Sequence, residues 1–232
     1  MAPGDRLIVA IDRSDRYEIA SIVEAMKGVA GYVKIGLQAF VANGPGLVRE
    51  IVDQNVRVFL DLKIHDIPNT AKRAVEEAQL SGASIITVHA SGGSAMMKAC
   101  AAVAQSDVLV AGVTLLTSLD EDSLSEIGFA GTAAGLVARL GDLAVESGLR
   151  CVVASPLETE ALRSRHEDLV IITPGIRPSG SNRNDQRRTM TPGDAIRAGA
   201  SHLVVGRPIT DDADSRGAAM RIVEEIAGAV HG

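Results

Sequence analysis

Short β-branched runs alternate with stretches of helical period along the whole chain. Residues 7–11, 32–35, 56–60, 84–88, 108–115, 150–154, 169–172 and 202–205 read as strands. Between the first two, Ile19, Ile22, Val23 and Met26 fall at i, i+3, i+4 and i+7, one face of a helix. Ser14 is placed to cap that helix and Gly28 to end it. Residues 70–80 form a second helix, stopped by Ser81-Gly82, and 136–147 a third, stopped by Gly148. Residues 218–230 close the chain as a helix.

Eight units in 232 residues leave 29 each, enough for one strand, one helix and two short loops. The pattern predicts an α/β fold, a single-domain (β/α)8 TIM barrel over residues 1–232. An open doubly wound sheet is the competing arrangement. That fold usually carries GxGxxG after its first strand, whereas here Asp12-Arg13-Ser14-Asp15 follows. No Pro- or Ser-rich linker divides the chain. The longest irregular stretch, about 174–191, is rich in Gly, Ser, Asn, Arg and Gln, and is expected to act as a mobile closing loop.

Composition narrows the classes. With 46% hydrophobic and 22% charged residues, a packed core is expected rather than disorder. Aromatics are only 2% (Tyr17, Tyr32, Phe40, Phe59, Phe129), which argues against a base-stacking platform for single strands. A net charge of −6 argues against nucleic acid as a partner. No apolar run approaches the ~20 residues of a membrane span. The opening MAPGDRLIVAID lacks the basic flank and apolar run of a signal peptide. Cys100 and Cys151 have neither CxxC nor metal spacing, so two free thiols in a reducing, cytoplasmic setting are expected.

A barrel of this kind builds its site at the C-terminal ends of its strands. Those ends carry Asp12, Lys34, the run Asp61, Lys63 and Asp66, then His89, Thr117, Ser155, Arg177 and Arg207. Lys34 lies between Val33 and Ile35, where a charge is costly unless paired. Alone it also reads as an edge or snorkelling lysine; convergence with Asp12, Asp61 and Lys63 makes that harder to sustain. Asp61 and Lys63, two apart, share one face of a strand, with Leu62 turned into the packing behind. Asp66 follows at the turn into a helix that Asn69 or Thr70 is expected to cap. Asp66 alone is equally a surface charge at a helix start. Alternating lysines and carboxylates hold one another ionised. They set a fixed negative charge beside a proton donor, which suits loss of an anionic group and protonation of a carbanion.

Gly206-Arg207 after the last strand fits a phosphate, since barrels commonly hold one at the loops after strands seven and eight. Arg177 and Gln186 in the long loop are placed to close over it, although Arg207 alone is also a solvated arginine. The histidines, His65, His89, His166, His202 and His231, show no ligand spacing, and His89 reads as a core hydrogen-bonding residue. No HExxH, GxSxG or P-loop is present.

Taken together, Asp61-x-Lys63-x-x-Asp66-Ile67-x-x-Thr70 resembles the signature of the orotidine 5′-phosphate decarboxylase family. The resemblance runs through nearly the whole chain. It includes residues 7–12, Tyr32-Val33-Lys34-Ile35-Gly36, Thr87-Val88-His89-Ala90 and residues 113–118. It continues in Thr173-Pro174-Gly175-Ile176-Arg177-Pro178, Asp185-Gln186-Arg187-Arg188 and residues 205–210. It is closest in kind to the compact bacterial form.

The resemblance implies a barrel homodimer with shared active sites, conversion of orotidine 5′-phosphate to UMP and CO2, and no metal or organic cofactor. Asp12 and Lys34 would bind the ribose hydroxyls, and Asp61 would face the substrate carboxylate. Lys63 would protonate C6. Asp66, with Ile67 and Thr70, would reach the neighbouring subunit's site. Thr117 would contact the pyrimidine, and Pro174, Arg177, Gln186, Gly206 and Arg207 would line the phosphate side. Two other classes stay open: a related Mg2+-dependent barrel lyase or hexulose-phosphate synthase sharing the Asp-x-Lys-x-x-Asp strand, and a barrel that only binds phosphorylated ligands.

Overall fold

Each strand sends alternate side chains to two different cores. Leu7, Val9 and Ile11 point outward against helices, while Ile8 and Ala10 point inward. Phe59, Ile85, Ala111, Cys151, Ile172 and Val204 join that inner cluster. Both faces are buried, which is why the strands read as unbroken apolar runs. The computed structural model describes residues 1–178 and 189–230.

The first half runs β1 (Leu7–Ile11), α1 (Arg16–Met26), β2 (Tyr32–Gly36), α2 (Leu37–Asn43), α3 (Pro45–Val52), β3 (Val58–Ile64), α4 (Pro68–Leu80) and β4 (Ile85–His89). It continues with α5 (Gly93–Ala101), β5 (Leu109–Val113), α6 (Glu121–Glu126), α7 (Ala133–Glu146) and β6 (Cys151–Val153). The chain then forms α8 (Thr159–Arg165), β7 (Val170–Thr173), α9 (Pro192–Arg197), β8 (His202–Val205), α10 (Arg207–Thr210) and α11 (Ser215–Val230). Among the described residues the strands close in sequence order, every neighbour parallel, with β8 returning to β1. The expected (β/α)8 barrel is therefore the fold, and the open sheet is excluded. Among the described residues no helix is long and apolar enough to cross a membrane.

Several local expectations need correction. Asp15, not Ser14, caps α1, accepting from the Tyr17 and Glu18 amides. A carboxylate at this position also complements the helix dipole. Neither Asn69 nor Thr70 caps α4. Ile67 is the N-cap, Pro68 opens the first turn, and Thr70 lies inside the helix. Pro suits that position because its missing N–H would be unpaired anyway. The third strand is 58–64 rather than 56–60, the fifth stops at Val113 and the sixth at Val153. Gly28 does end α1, at φ 72°, a left-handed conformation that glycine adopts without steric cost.

The N-terminal mouth of the barrel is closed by a polar plug. The Arg57 guanidinium stacks on Tyr32 at 4.3 Å and pairs with Asp5 at 2.8 Å. The Tyr32 ring meets His202 edge-on at 5.6 Å, and His202 Nδ1 lies 3.2 Å from the Asp5 carbonyl. Burial, with Arg6 and Arg57 nearby, pushes the His202 imidazole down from 6.5 to about 4. The fold thus favours the neutral ring. Its stabilising effect is complete above pH 6.5 and is lost as pH falls toward 4, by roughly 3 kcal/mol in all. Urea unfolding at pH 7 and pH 4.5 is expected to show this loss. His202→Gln is expected to flatten that part of the profile; an equal slope in the variant would contradict the assignment.

Candidate active site

The inward positions of β1, β2 and β3 turn from apolar to charged as the strands reach the C-terminal mouth. On β1 the series is Ile8, Ala10, then Asp12 just past the strand. On β2 it is Tyr32, Lys34, Gly36. On β3 it is Phe59, Asp61, then Lys63. The register sets Lys34 beside Ala10 and Phe59, and Gly36 beside Asp61. Neighbouring strands thus deliver their charges to one place.

Asp61 is the centre. Its Oδ2 receives the Lys63 ammonium at 2.8 Å and lies 3.5 Å from the Lys34 ammonium. Its Oδ1 accepts from the Thr87 hydroxyl at 3.1 Å. Lys34 also donates to Asp12 Oδ1 at 3.2 Å. Asp61 and Lys34 are 8% and 9% exposed, so Lys34 is neither an edge nor a snorkelling lysine. Burial alone would push the Asp61 carboxyl up. The two ammoniums, with hydrogen bonds from Lys63 and Thr87, outweigh it and hold the group below the usual carboxylate range. Removing one partner of such a buried pair typically costs about 3–5 kcal/mol. Gly36 leaves the room this arrangement needs: a Cβ there would stand 2.9 Å from Lys34 Nζ and 3.1 Å from Asp12 Oδ1.

A cavity of about 430 Å3 opens over this network, within the size range of small-molecule sites. Asp12, Lys34, Asp61 and Lys63 line one side. Pro174, Arg177, Gly206 and Arg207 line it from β7 and β8, and Thr117 from the connection after β5. Arg177 is 8% exposed and donates to the Ile176 carbonyl at 3.0 Å. The bases of the long β7 connection are tied together, since the Arg177 amide donates to Met190 O at 3.0 Å. Gln186, and with it most of the expected closing loop, lies outside the described residues.

Asp66, Ile67 and Thr70 are not brought to this cavity. All three are exposed, and Asp66 Oδ1 accepts from the Ile67 amide at 2.7 Å. The position of His89 also differs from the expected core role. It is half-buried at the mouth, its ring tilted against His65 at 5.2 Å. Burial and the adjoining His65 and Lys63 push its imidazole down.

Two contributors were missed. Arg13 lines the cavity and bridges the Asp12 carbonyl at 3.2 Å to Asp211 beyond α10. Its place directly after Asp12 was the available signal. Thr87 stands within a strand and within one segment of the resemblance, but carries no role in either, because a β-branched residue inside an apolar run looks like packing.

Buried acid–base groups and arginines around one mouth define an enzyme of the (β/α)8-barrel class that acts on a small anionic substrate. The comparisons make this particular. Residues 5–222 match the model of the orotidine 5′-phosphate decarboxylase / HUMPS family. Orotidine 5′-phosphate decarboxylase of Moorella thermoacetica is 44% identical, covering 97% of this chain and 94% of its own. The enzyme of that name from Syntrophotalea carbinolica is 46% identical, with coverage of 97% and 96%. The crystal structure of orotidine 5′-phosphate decarboxylase from Lactobacillus acidophilus superposes with a TM-score of 0.84 at 33% identity, covering 95% of this chain and 98% of that one. The chain belongs to the orotidine 5′-phosphate decarboxylase / HUMPS family.

Proposed function

We propose that this protein decarboxylates orotidine 5′-phosphate to UMP and CO2, the last step of UMP synthesis. The observation that carries the reading is the Lys34–Asp61–Lys63 network at the cavity floor, with Lys34 and Asp61 buried and Lys63 partly exposed to the cavity. The substrate carboxylate is set against Asp61, and two close carboxylates repel. The C6–carboxylate bond breaks, CO2 leaves, and the electron pair stays on C6. Lys63 stabilises that developing charge and then donates its proton to C6. Water returns the proton to Lys63.

Asp12 and Lys34 take the ribose hydroxyls and Thr117 the pyrimidine. Pro174, Arg177, Gly206 and Arg207 take the phosphate side, joined by Gln186. Phosphate contacts far from C6 supply binding energy that orients the reacting bond. The Mg2+-dependent reading is disfavoured by Lys34. Its ammonium stands between Asp12 and Asp61, where a cation shared by those carboxylates would sit.

A second copy of the chain completes the site. Asp66, Ile67 and Thr70 face away from their own cavity, and apolar Tyr17, Leu37, Val41 and Ile67 are 54–88% exposed on the first three β-to-α units. A homodimer that buries these side chains would carry Asp66 into the partner's network. Two buried free thiols, Cys100 and Cys151, agree with a cytoplasmic setting. The test is direct: purified protein mixed with orotidine 5′-phosphate should release UMP and CO2. Tight binding without product would favour the binding-only class.

A further inference from the structure

The β3–β4 pairing is broken where the chemistry lies. Leu60 pairs with Ile86, and the next pair is Ile64 with Val88. Over that interval β3 advances four residues and β4 only two. The surplus is taken up by a bulge in which Lys63 has φ 52°, a conformation uncommon for a residue with a Cβ. Asp61 and Lys63 therefore do not meet by regular strand alternation. They meet because the strand is kinked between them.

Such a kink leaves a backbone donor without its ladder partner. Thr87, directly across the gap and fully buried, takes it: its Oγ1 accepts from the Lys63 amide at 2.8 Å. A hydroxyl has one proton to give, and here it goes to Asp61 Oδ1 at 3.1 Å. One atom thus ties the backbone of the proton donor to the carboxylate beside it. We propose that Thr87 is a positioning residue for the reaction, its hydroxyl locking the Asp61–Lys63 pair in the geometry the C6 proton transfer requires.

This rests on the decarboxylase reading and deepens it. Thr87 is not among the residues lining the cavity, so its effect passes through Asp61 and Lys63. Losing the hydroxyl frees the Lys63 backbone to relax and leaves Asp61 with one donor fewer. A small misplacement of reacting groups can cost on the order of 100-fold in rate. The same loss weakens the ionised form of Asp61, so the acid limb of the rate profile moves to higher pH.

Thr87→Val keeps the shape and removes the hydroxyl, while Thr87→Ser keeps the hydroxyl and removes the methyl. In Thr87→Val, kcat is expected to fall roughly 10- to 100-fold with KM changed less than about threefold, and the acid limb to shift upward. Thr87→Ser is expected to recover most of kcat and the native limb. A Val variant with native kcat and pH profile would overturn the proposal. So would a Ser variant as impaired as Val, which would make the methyl packing the cause. Should Val not fold, Thr87→Ala takes its place with the same expectations. If the unmodified protein shows no turnover, the decarboxylase reading fails separately. Carbon-13 titration of the Asp61 carboxyl then decides the lock: a raised value in Val but not in Ser supports it, and no change refutes it.

Discussion

Lys63→Ala is expected to abolish decarboxylation while leaving the barrel folded. In the proposed mechanism Lys63 is the group, among the described residues, that both balances charge at C6 and donates a proton. General acid catalysis and stabilisation of developing charge together account for roughly 10^4-fold or more in rate. The fold should survive, because Asp61 keeps the Lys34 ammonium and the Thr87 hydroxyl as partners. UMP affinity should change far less than turnover, since the phosphate side is untouched. Lys63→Arg should not rescue, as a guanidinium stays protonated and cannot give up the proton. Calorimetry with UMP and a stopped assay for product check both halves. Substantial turnover in the alanine variant would remove Lys63 from the mechanism.

The second large effect concerns Asp66. Within one protomer it sits on the exposed turn before α4, with the Ile67 amide as a partner and no place in the cavity. If the site is shared, Asp66→Ala should be nearly as inactive as Lys63→Ala. Co-expressing the two variants should then restore about a quarter of native turnover, because a mixed dimer rebuilds one intact site. Recovery that depends on subunit exchange has no explanation in a self-contained protomer. Failure of the mixture to recover, with both parents folded and dimeric, would contradict the shared site. Full activity of Asp66→Ala would contradict it equally.

Much of this was legible in the chain itself. The barrel follows from eight strand-like runs alternating with helical stretches, about 29 residues to a unit on average. The charged floor follows from Lys34 between two apolar neighbours and from the two-residue step between Asp61 and Lys63. The limits of that reading are physical. Alternation along β3 suggests that Asp61 and Lys63 share a face, but what brings them together is a bulge that depends on pairing with β4. Pairing partners are not written in either strand alone. Thr87 shows the same limit, since its hydroxyl acquires a role only opposite that gap. Ser14 and Asp15 are both good caps, and backbone geometry chose the second. Residues 37–52 divide into α2 and α3 at Gly44-Pro45, a pair of short helices with too few turns to show a clear period. Asp66, Ile67 and Thr70 mark the boundary in the other direction. Their motif is plain in sequence, yet a single chain leaves them facing solvent.

Decarboxylation is expected to rest on this chain's own charged network, with the Lys34 ammonium standing between the Asp12 and Asp61 carboxylates. The most direct measurement follows the ultraviolet absorbance of orotidine 5′-phosphate in the presence of excess EDTA, with purified protein dialysed against the chelator. Conversion to UMP is expected at a rate unchanged by EDTA and not raised by added Mg2+. No conversion under these conditions, with activity appearing only on addition of Mg2+, would contradict it.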